Sequence, residues 1–301
     1  MFNRSKINLF VFLLVGAMAC GLSTAALAQN TASGTPISNT ATLDYSVAGT
    51  PQAQVSSNTA TFVVDNKVDL TVTTVDVAIV SVVPGTFAQV LTYSVTNNGN
   101  TVQDYSLQAL DSATGAFGET ETFDAAGAAV FVDTDGNNTY TVADTDTYID
   151  ELASGASVTV FVVADIPLAQ THDDVASYDL VAQTAVGGSA ASQGADILND
   201  DAGTADDPTL VQIVFADGAG TADAVTDGRH SSKDGYKVVS AELVAVKTTN
   251  VISDPFNGGV NPKAIPGATV GYQVLVTNNG TVAADNVEVI DSIPANSAFL
   301  V

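Results

Sequence analysis

The chain has 301 residues, with 33 acidic side chains against eight basic ones and a net charge of −25; so acidic a surface repels phosphate backbones and excludes nucleic-acid binding. Hydrophobic residues make up 46% of it, too many for a disordered polymer and enough for a core. The single cysteine, Cys20, lies near the N-terminus, which excludes disulfide staples and thiol chemistry from the remainder.

The N-terminus reads as an export signal. Arg4 and Lys6 precede an apolar run from Ile7 to Val15, and Ala26-Leu27-Ala28 supplies the small-x-small pattern of a signal-peptidase site. Residues 1–28 are therefore expected to be a cleaved signal peptide, and the mature protein to be secreted or held at the cell surface. A retained anchor needs about 20 unbroken apolar residues, whereas this run decays into Gly21, Ser23 and Thr24. Lipoprotein processing at Cys20 is the weaker rival, because Ala17 stands where leucine is usual. Since no later segment is long and apolar enough to span a bilayer, no transmembrane segment is expected in the mature chain.

Beyond the leader, helical periodicity is nearly absent. Alternation in Val, Thr, Tyr and Phe, bounded by Gly, Asn and Asp clusters, dominates. Residues 29–65 read as a β-hairpin: Ala41, Leu43, Tyr45 and Val47 share one face, Gly49-Thr50-Pro51 turns the chain, and Thr59–Val64 returns. The words Ser38-Asn39-Thr40-Ala41-Thr42 and Ser57-Asn58-Thr59-Ala60-Thr61 are identical. In residues 66–240 the candidate strands are Val68–Val75, Gln89–Thr96, Asp104–Leu110, Ala129–Val132, Tyr148–Leu152, Ser157–Ala164, Ser177–Ala185, Leu210–Phe215 and Tyr236–Ala241. Many short strands spaced by turns predict an all-β sandwich. Gly187–Pro208 and Asp217–Gly235, rich in Ala, Gly, Ser and Asp, read as long linker-like loops.

Residues 241–301 add strands at Leu243–Thr248, Thr269–Thr277 and Asn286–Ile290, and they repeat an earlier pattern. Pro84-Gly85 leads into a strand ending in Thr96-Asn97-Asn98-Gly99, and Pro266-Gly267 into one ending in Thr277-Asn278-Asn279-Gly280. Pro-Gly turns the chain into each strand, and Asn-Asn-Gly tolerates the positive φ needed at its far end. With Lys247-Thr248, Ile265–Tyr272 and Val289-Ile290-Asp291-Ser292-Ile293-Pro294, these residues resemble the conserved repeat domain of bacterial surface and secreted proteins catalogued as domain of unknown function 11. The resemblance is strong over Ala241–Val301 and weaker over Val68–Asp111. It implies immunoglobulin-like β-sandwich repeats strung along cell-envelope proteins, and it brings no catalytic residues. The second repeat, residues 241–301, is partial, because an immunoglobulin-like sandwich takes roughly 100 residues. Either the sequence is a piece of a longer product, or the unfinished sheet takes a strand from a partner, with Ala41–Val64 as candidate donor.

One local motif suggests a ligand. In Asp133-Thr134-Asp135-Gly136-Asn137-Asn138-Thr139-Tyr140-Thr141-Val142-Ala143-Asp144, oxygen side chains fall at positions one, three, five, nine and twelve. The predicted metal ligands are Asp133, Asp135, Asn137, Thr139 through its carbonyl, Thr141 and Asp144, with Asp146 or Asp150 completing the shell. Calcium is the expected ion, since a hard cation gathers six to eight oxygens. Glycine at position four rather than six, and Asp in place of Glu at twelve, depart from the usual loop; an Asx-rich hairpin without an ion is the bland alternative. Asp217, Asp223, Asp227 and Asp234 lack a ligand spacing and read as a solvated loop, and Asp254–Gly259 as a turn. His172 and His230 lie in polar, loop-like contexts with no nucleophile beside them, so no enzyme is expected. Lys67 and Lys247 are either solvated strand-edge lysines or ends of Lys–Asn isopeptide bonds. The expected function is structural: a spacer, surface-layer or matrix component. The alternatives are an adhesin that binds glycan or protein through loops 187–235, and a filament subunit that self-assembles by strand exchange.

Overall fold

A computed structural model of the chain describes residues 31–300; the expected signal peptide and Cys20 lie outside the described residues. The molecule is all-β. Among the described residues no helix is long and apolar enough to cross a membrane, and Ala116–Gly118 forms only a single 3-10 turn.

The first strands make one stepped ribbon. β1 (Pro36–Asn39) pairs with β6 (Ala60–Val63), β2 (Thr42–Leu43) with β5 (Val55–Ser56), and β3 (Ser46–Val47) with β4 (Thr50–Pro51). Between successive pairings the return strand carries one extra residue, so the register slips at both breaks. The reversal sits at Ala48-Gly49, with φ of 48° and 85°, the two-residue geometry that follows strand twist. The expected turn at Gly49-Thr50-Pro51 is thus displaced, and Pro51 occupies an edge strand, where its missing N–H costs nothing. Asn100 anchors the ribbon's base: its Nδ2 donates to Thr31 O (3.1 Å) and Asp65 O (2.8 Å), and its Oδ1 accepts Lys67 N (2.8 Å).

The sandwich follows. One sheet has the order β12 (Ala126–Val132), β14 (Ser157–Asp165), β10 (Gln89–Asn97), β8 (Leu70–Thr74). The other runs β13 (Tyr148–Leu152), β11 (Gln103–Asp111), β15 (Val175–Val186), β17 (Arg229–Val238), β9 (Val80–Val82), with β9 parallel to β17. Taking β8, β10, β11, β12, β14, β15 and β17 as A to G gives the ABED and CFG sheets of an immunoglobulin-like sandwich. One departure is clear: the chain visits the edge of the first sheet (β12) before the edge of the second (β13).

Alternation places the core. Leu91, Tyr93 and Val95 of β10 are buried while their neighbours are only partly covered, and Leu70, Val72, Val160, Val162, Leu180, Tyr236 and Val238 meet them. Each such side chain contributes about 1.5–3 kcal/mol. Buried tyrosines bridge the layers through their hydroxyls: Tyr93 donates to Tyr178 O (3.0 Å) and Tyr236 to Val162 O (3.1 Å). These bonds satisfy the polar tips that make a buried tyrosine costly.

Strand β17 begins at Arg229, well before the expected Tyr236. Its polar side chains explain this: Val72 N donates to His230 Nδ1 (3.1 Å), Thr74 N donates to Ser232 Oγ (3.1 Å), and Thr74 Oγ1 donates to Asp234. Edge strand β8 would otherwise leave those amides open. Asp234, expected in a solvated loop, is fully buried. The loops at 187–235 are likewise braced rather than linker-like. β16 (Ile213–Phe215) runs parallel to β7 (Asn66–Val68), and Val68, Ile197 and Phe215 form a small second core; the expected strand start at Leu210 falls in a turn instead.

Downstream, β18 (Leu243–Ser253) and β19 (Thr269–Asn278) form an antiparallel hairpin. It repeats the A–B pair: Leu70 faces Asn97 and Leu243 faces Asn278. The turn chemistry repeats too. Asn97 Nδ2 donates to Thr101 O (2.9 Å) and its Oδ1 accepts Gly99 N (2.9 Å); Asn278 Nδ2 donates to Val282 O (2.8 Å) and its Oδ1 accepts Gly280 N (3.0 Å). The copies differ in cover, since Asn97 is buried and also donates to Leu152 O (2.8 Å), whereas Asn278 is exposed. The expected strand at Asn286–Ile290 does not form, because extended backbone is stabilised only by a neighbouring strand or a face to bury.

Candidate metal sites

Among the described residues, three groups of carboxylates each bring one oxygen per residue to within 4.8 Å of the others: Asp133, Asp135 and Asp144; Asp104, Asp150 and Glu151; Asp111, Glu121 and Asp124. What separates them is how many hydrogen-bond donors each carboxylate already has.

The first group lies on the β12–β13 connection and contains three of the predicted calcium ligands. Asp133 Oδ1 accepts Gly136 N (2.9 Å) and Asn137 N (3.3 Å), and its Oδ2 accepts Asn138 N (2.8 Å). Asp135 accepts Asn137 N (3.1 Å) and Asn137 Nδ2 (2.8 Å), which brings Asn137 to the cluster. Asp144 accepts Thr141 N (2.8 Å) and Thr134 N (3.2 Å); the Thr141 contact first, then Thr134, holds its carboxyl below the usual range. Thr141 Oγ1 donates to Asp144 (3.2 Å), while Thr139 is exposed and donates its N–H to Asn137 Oδ1 (2.7 Å). Asn138, at φ 59°, takes the left-handed turn in place of a glycine. Asp133 and Asp144 are buried and Asp135 is exposed, so this loop is ordered by its own amides, with Asp135 the one carboxylate of the three turned to solvent.

The second group was not anticipated, and its role is visible. Asp104 accepts Glu151 N and Gly194 N (both 2.8 Å), Asp150 accepts Ala191 N (2.8 Å), and Glu151 accepts Gly188 N and Ser189 N (the latter 2.7 Å). These carboxylates organise the loop that follows β15. In the same way Asp217 accepts Asp227 N (3.1 Å) and Gly228 N (3.0 Å), and Asp223 accepts Gly220 N (2.8 Å) and the Ser231 hydroxyl. Asp254 accepts Phe256 N, Asn257 N and Lys263 N, making the expected turn.

The remaining singled-out residues have structural partners. Besides His230, His172 Nδ1 accepts Ser240 N (3.3 Å). Lys67 pairs with Asp69 (3.0 Å); Lys247 pairs with Asp291 (2.7 Å) and lies 4.6 Å from the Tyr272 ring centroid. Both lysines hold aspartates rather than the asparagine of a Lys–Asn bond.

No protein-family model and no curated protein matches the chain. Among solved structures, native alpha-2-macroglobulin of E. coli aligns over 74% of this chain and 9% of its own length, at 15% identity and a TM-score of 0.24. A likeness that low carries no argument.

Proposed function

We propose that this chain is an exported, non-catalytic structural protein of the cell surface or extracellular matrix, built from immunoglobulin-like repeats of the kind seen in domain of unknown function 11. The observation that carries this reading is the recurrence at β18–β19 of the β8–β10 pairing and of the Asn97 turn around Asn278, since one strand pair and turn repeated along a chain is the pattern of a repeat array. In support, His230 and His172 each accept a backbone N–H. The test is fractionation of the producing cells. A mature product beginning at Gln29, protease-accessible on intact cells or in the medium, is expected; an uncut cytoplasmic product overturns the proposal.

A second reading, assembly by strand exchange, is favoured by the ribbon, where Leu43, Tyr45, Val47, Val55 and Phe62 are exposed and, among the described residues, no third strand supports a two-stranded element. Light scattering of the same mature product reads it out: an oligomer that dissociates when residues 31–65 are removed supports exchange, and a monomer at all concentrations ends it.

Calcium at Asp133, Asp135, Asn137, Thr139, Thr141 and Asp144 belongs to this reading as a stabiliser of the β12–β13 connection. Asp133→Ala removes an acceptor of three amides and is expected to cost about 2 kcal/mol even in chelator. The ion is therefore read from the difference: wild type should melt higher in calcium than in chelator, and part of that gain should vanish in Asp133→Ala. Equal gains in the two proteins remove calcium from this loop.

A further inference from the structure

The chain enters the sandwich along β8 and leaves it along β17, and these two strands lie side by side although they belong to different sheets. Val72 N donates to His230 Nδ1 and Thr74 N to Ser232 Oγ. Both positions climb together, so the strands run in the same direction. Beyond Thr74 the chain crosses to the other sheet, where β9 joins the same partner through backbone. Val80 faces Tyr236 and Val82 faces Val238 in a parallel ladder, and Val239 N donates to Val82 O (2.8 Å). The first strands of the sandwich therefore follow its last strand along most of its length, through side-chain acceptors and then through a ladder. Thr74 Oγ1, donating to the buried Asp234, ties the crossing point between them.

Strand direction decides how such a contact meets a pull along the chain. Tension on the segment before β8 and on the segment after β17 draws two parallel strands past each other. Their bonds then lie across the load and must fail together. The ribbon and the β18–β19 hairpin are arranged the other way. Pro36 faces Val63 and Leu243 faces Asn278, so each is entered and left at one end, and the same tension opens its pairs one after another. Forced unfolding follows the height of the barrier rather than the equilibrium stability, and bonds that share a load raise that barrier.

We propose that the sandwich carries tension along the chain: β8 and β9 on β17 form a shear clamp, while the ribbon and the β18–β19 hairpin open first and lengthen the molecule. This deepens the structural reading and rests on it, since only a chain held on both sides is pulled. It also gives the polar first half of β17 a purpose. A ladder cannot join β8 to β17 across the gap between sheets, and His230, Ser232 and Asp234 supply acceptors that reach across it.

The experiment stretches single molecules of the full chain from Gln29 along two axes in an atomic force microscope. Cys20 precedes that start and is the sole cysteine, so Phe87→Cys, at a residue 76% exposed just after β9, gives a unique handle. Pulled from its two ends, the chain should open the ribbon and hairpin first, and the sandwich should then unfold at a severalfold higher force. Pulled from residue 87 and the C-terminus, both handles act where Val82 faces Val238, and the sandwich should peel open at a severalfold lower force. Stability is the same on both axes, so the difference reports the direction of load alone and needs no variant in the clamp. His230→Ala combined with Ser232→Ala should lower the end-to-end force and leave the peeling force unchanged. Equal forces on the two axes overturn the proposal, as does an end-to-end force no higher than the hairpin's. An end-to-end force that the double variant leaves intact overturns the assignment to β8 and β17. Because purified protein is stretched, the clamp can fail while fractionation still finds the chain outside the cell, and the reverse outcome is equally distinct.

Discussion

Asn97→Ala is expected to cost on the order of 3 kcal/mol or more of folding stability, while Asn278→Ala should shift sandwich unfolding by less than about 0.5 kcal/mol. The two asparagines occupy equivalent places, so the contrast isolates burial. Asn97 is fully buried, and its amide satisfies Thr101 O and Leu152 O while its oxygen satisfies Gly99 N. Truncation strands three backbone groups where water cannot replace the lost bonds, and the Leu152 contact also ties β10 to β13 across the sandwich. Asn278 makes two of these bonds in the open, where water substitutes. Urea unfolding followed by tyrosine fluorescence gives both numbers. Similar small losses would mean that the Asn97 turn does not hold the two sheets together, and the repeat would lose its structural meaning.

The strands legible in the sequence are those whose buried face is apolar. Gln89–Asn97 alternates between core and surface and Tyr148–Leu152 buries the apolar Ile149 and Leu152, and both could be read to within a residue. The first half of β17 could not, because His230, Ser232 and Asp234 use polar atoms to close the edge of β8, and polar side chains read as loop. β9, three residues long and parallel to its partner, is too short to leave a periodicity. Val287 and Val289 carry the alternation of a strand yet form none, since alternation records a face to bury without supplying the layer that buries it. The same division runs through the carboxylates. The group at 133–144 lies within twelve residues and showed in the spacing; Asp111, Glu121 and Asp124 meet only because the chain folds back over β15, and no spacing rule encodes that.

In chelator, stability is expected to be greatest near pH 5 and to fall as pH rises to 8, the reverse of what so many paired carboxylates would otherwise give. Asp234 is the main cause. Burial first, and then the neighbouring Asp76 charge, raise its carboxyl to about 7, against the lowering donors Thr74 and Gly235. Tyr93 and Tyr236 are raised chiefly by burial, and the Asp234 charge lies close enough to add to both. The unfolded chain releases this proton near pH 4 and the folded chain near 7, so between those values the folded state binds more protons and stability drops with rising pH. Asp234 alone is worth on the order of 3 kcal/mol across that window, and Glu121, which burial raises to about 7, adds to the same slope. Below about pH 4 the sign reverses, because Asp144 and Asp174, held low by N–H and hydroxyl donors, lose their bonds as they protonate. Asp234→Asn should flatten the decline between pH 5 and 8 in denaturant midpoints, whatever it does to absolute stability. A midpoint that climbs from pH 5 to 8 in chelator would show that Asp234 is ionised in the folded chain, and the closure of β8 by β17 would then need a different electrostatic account.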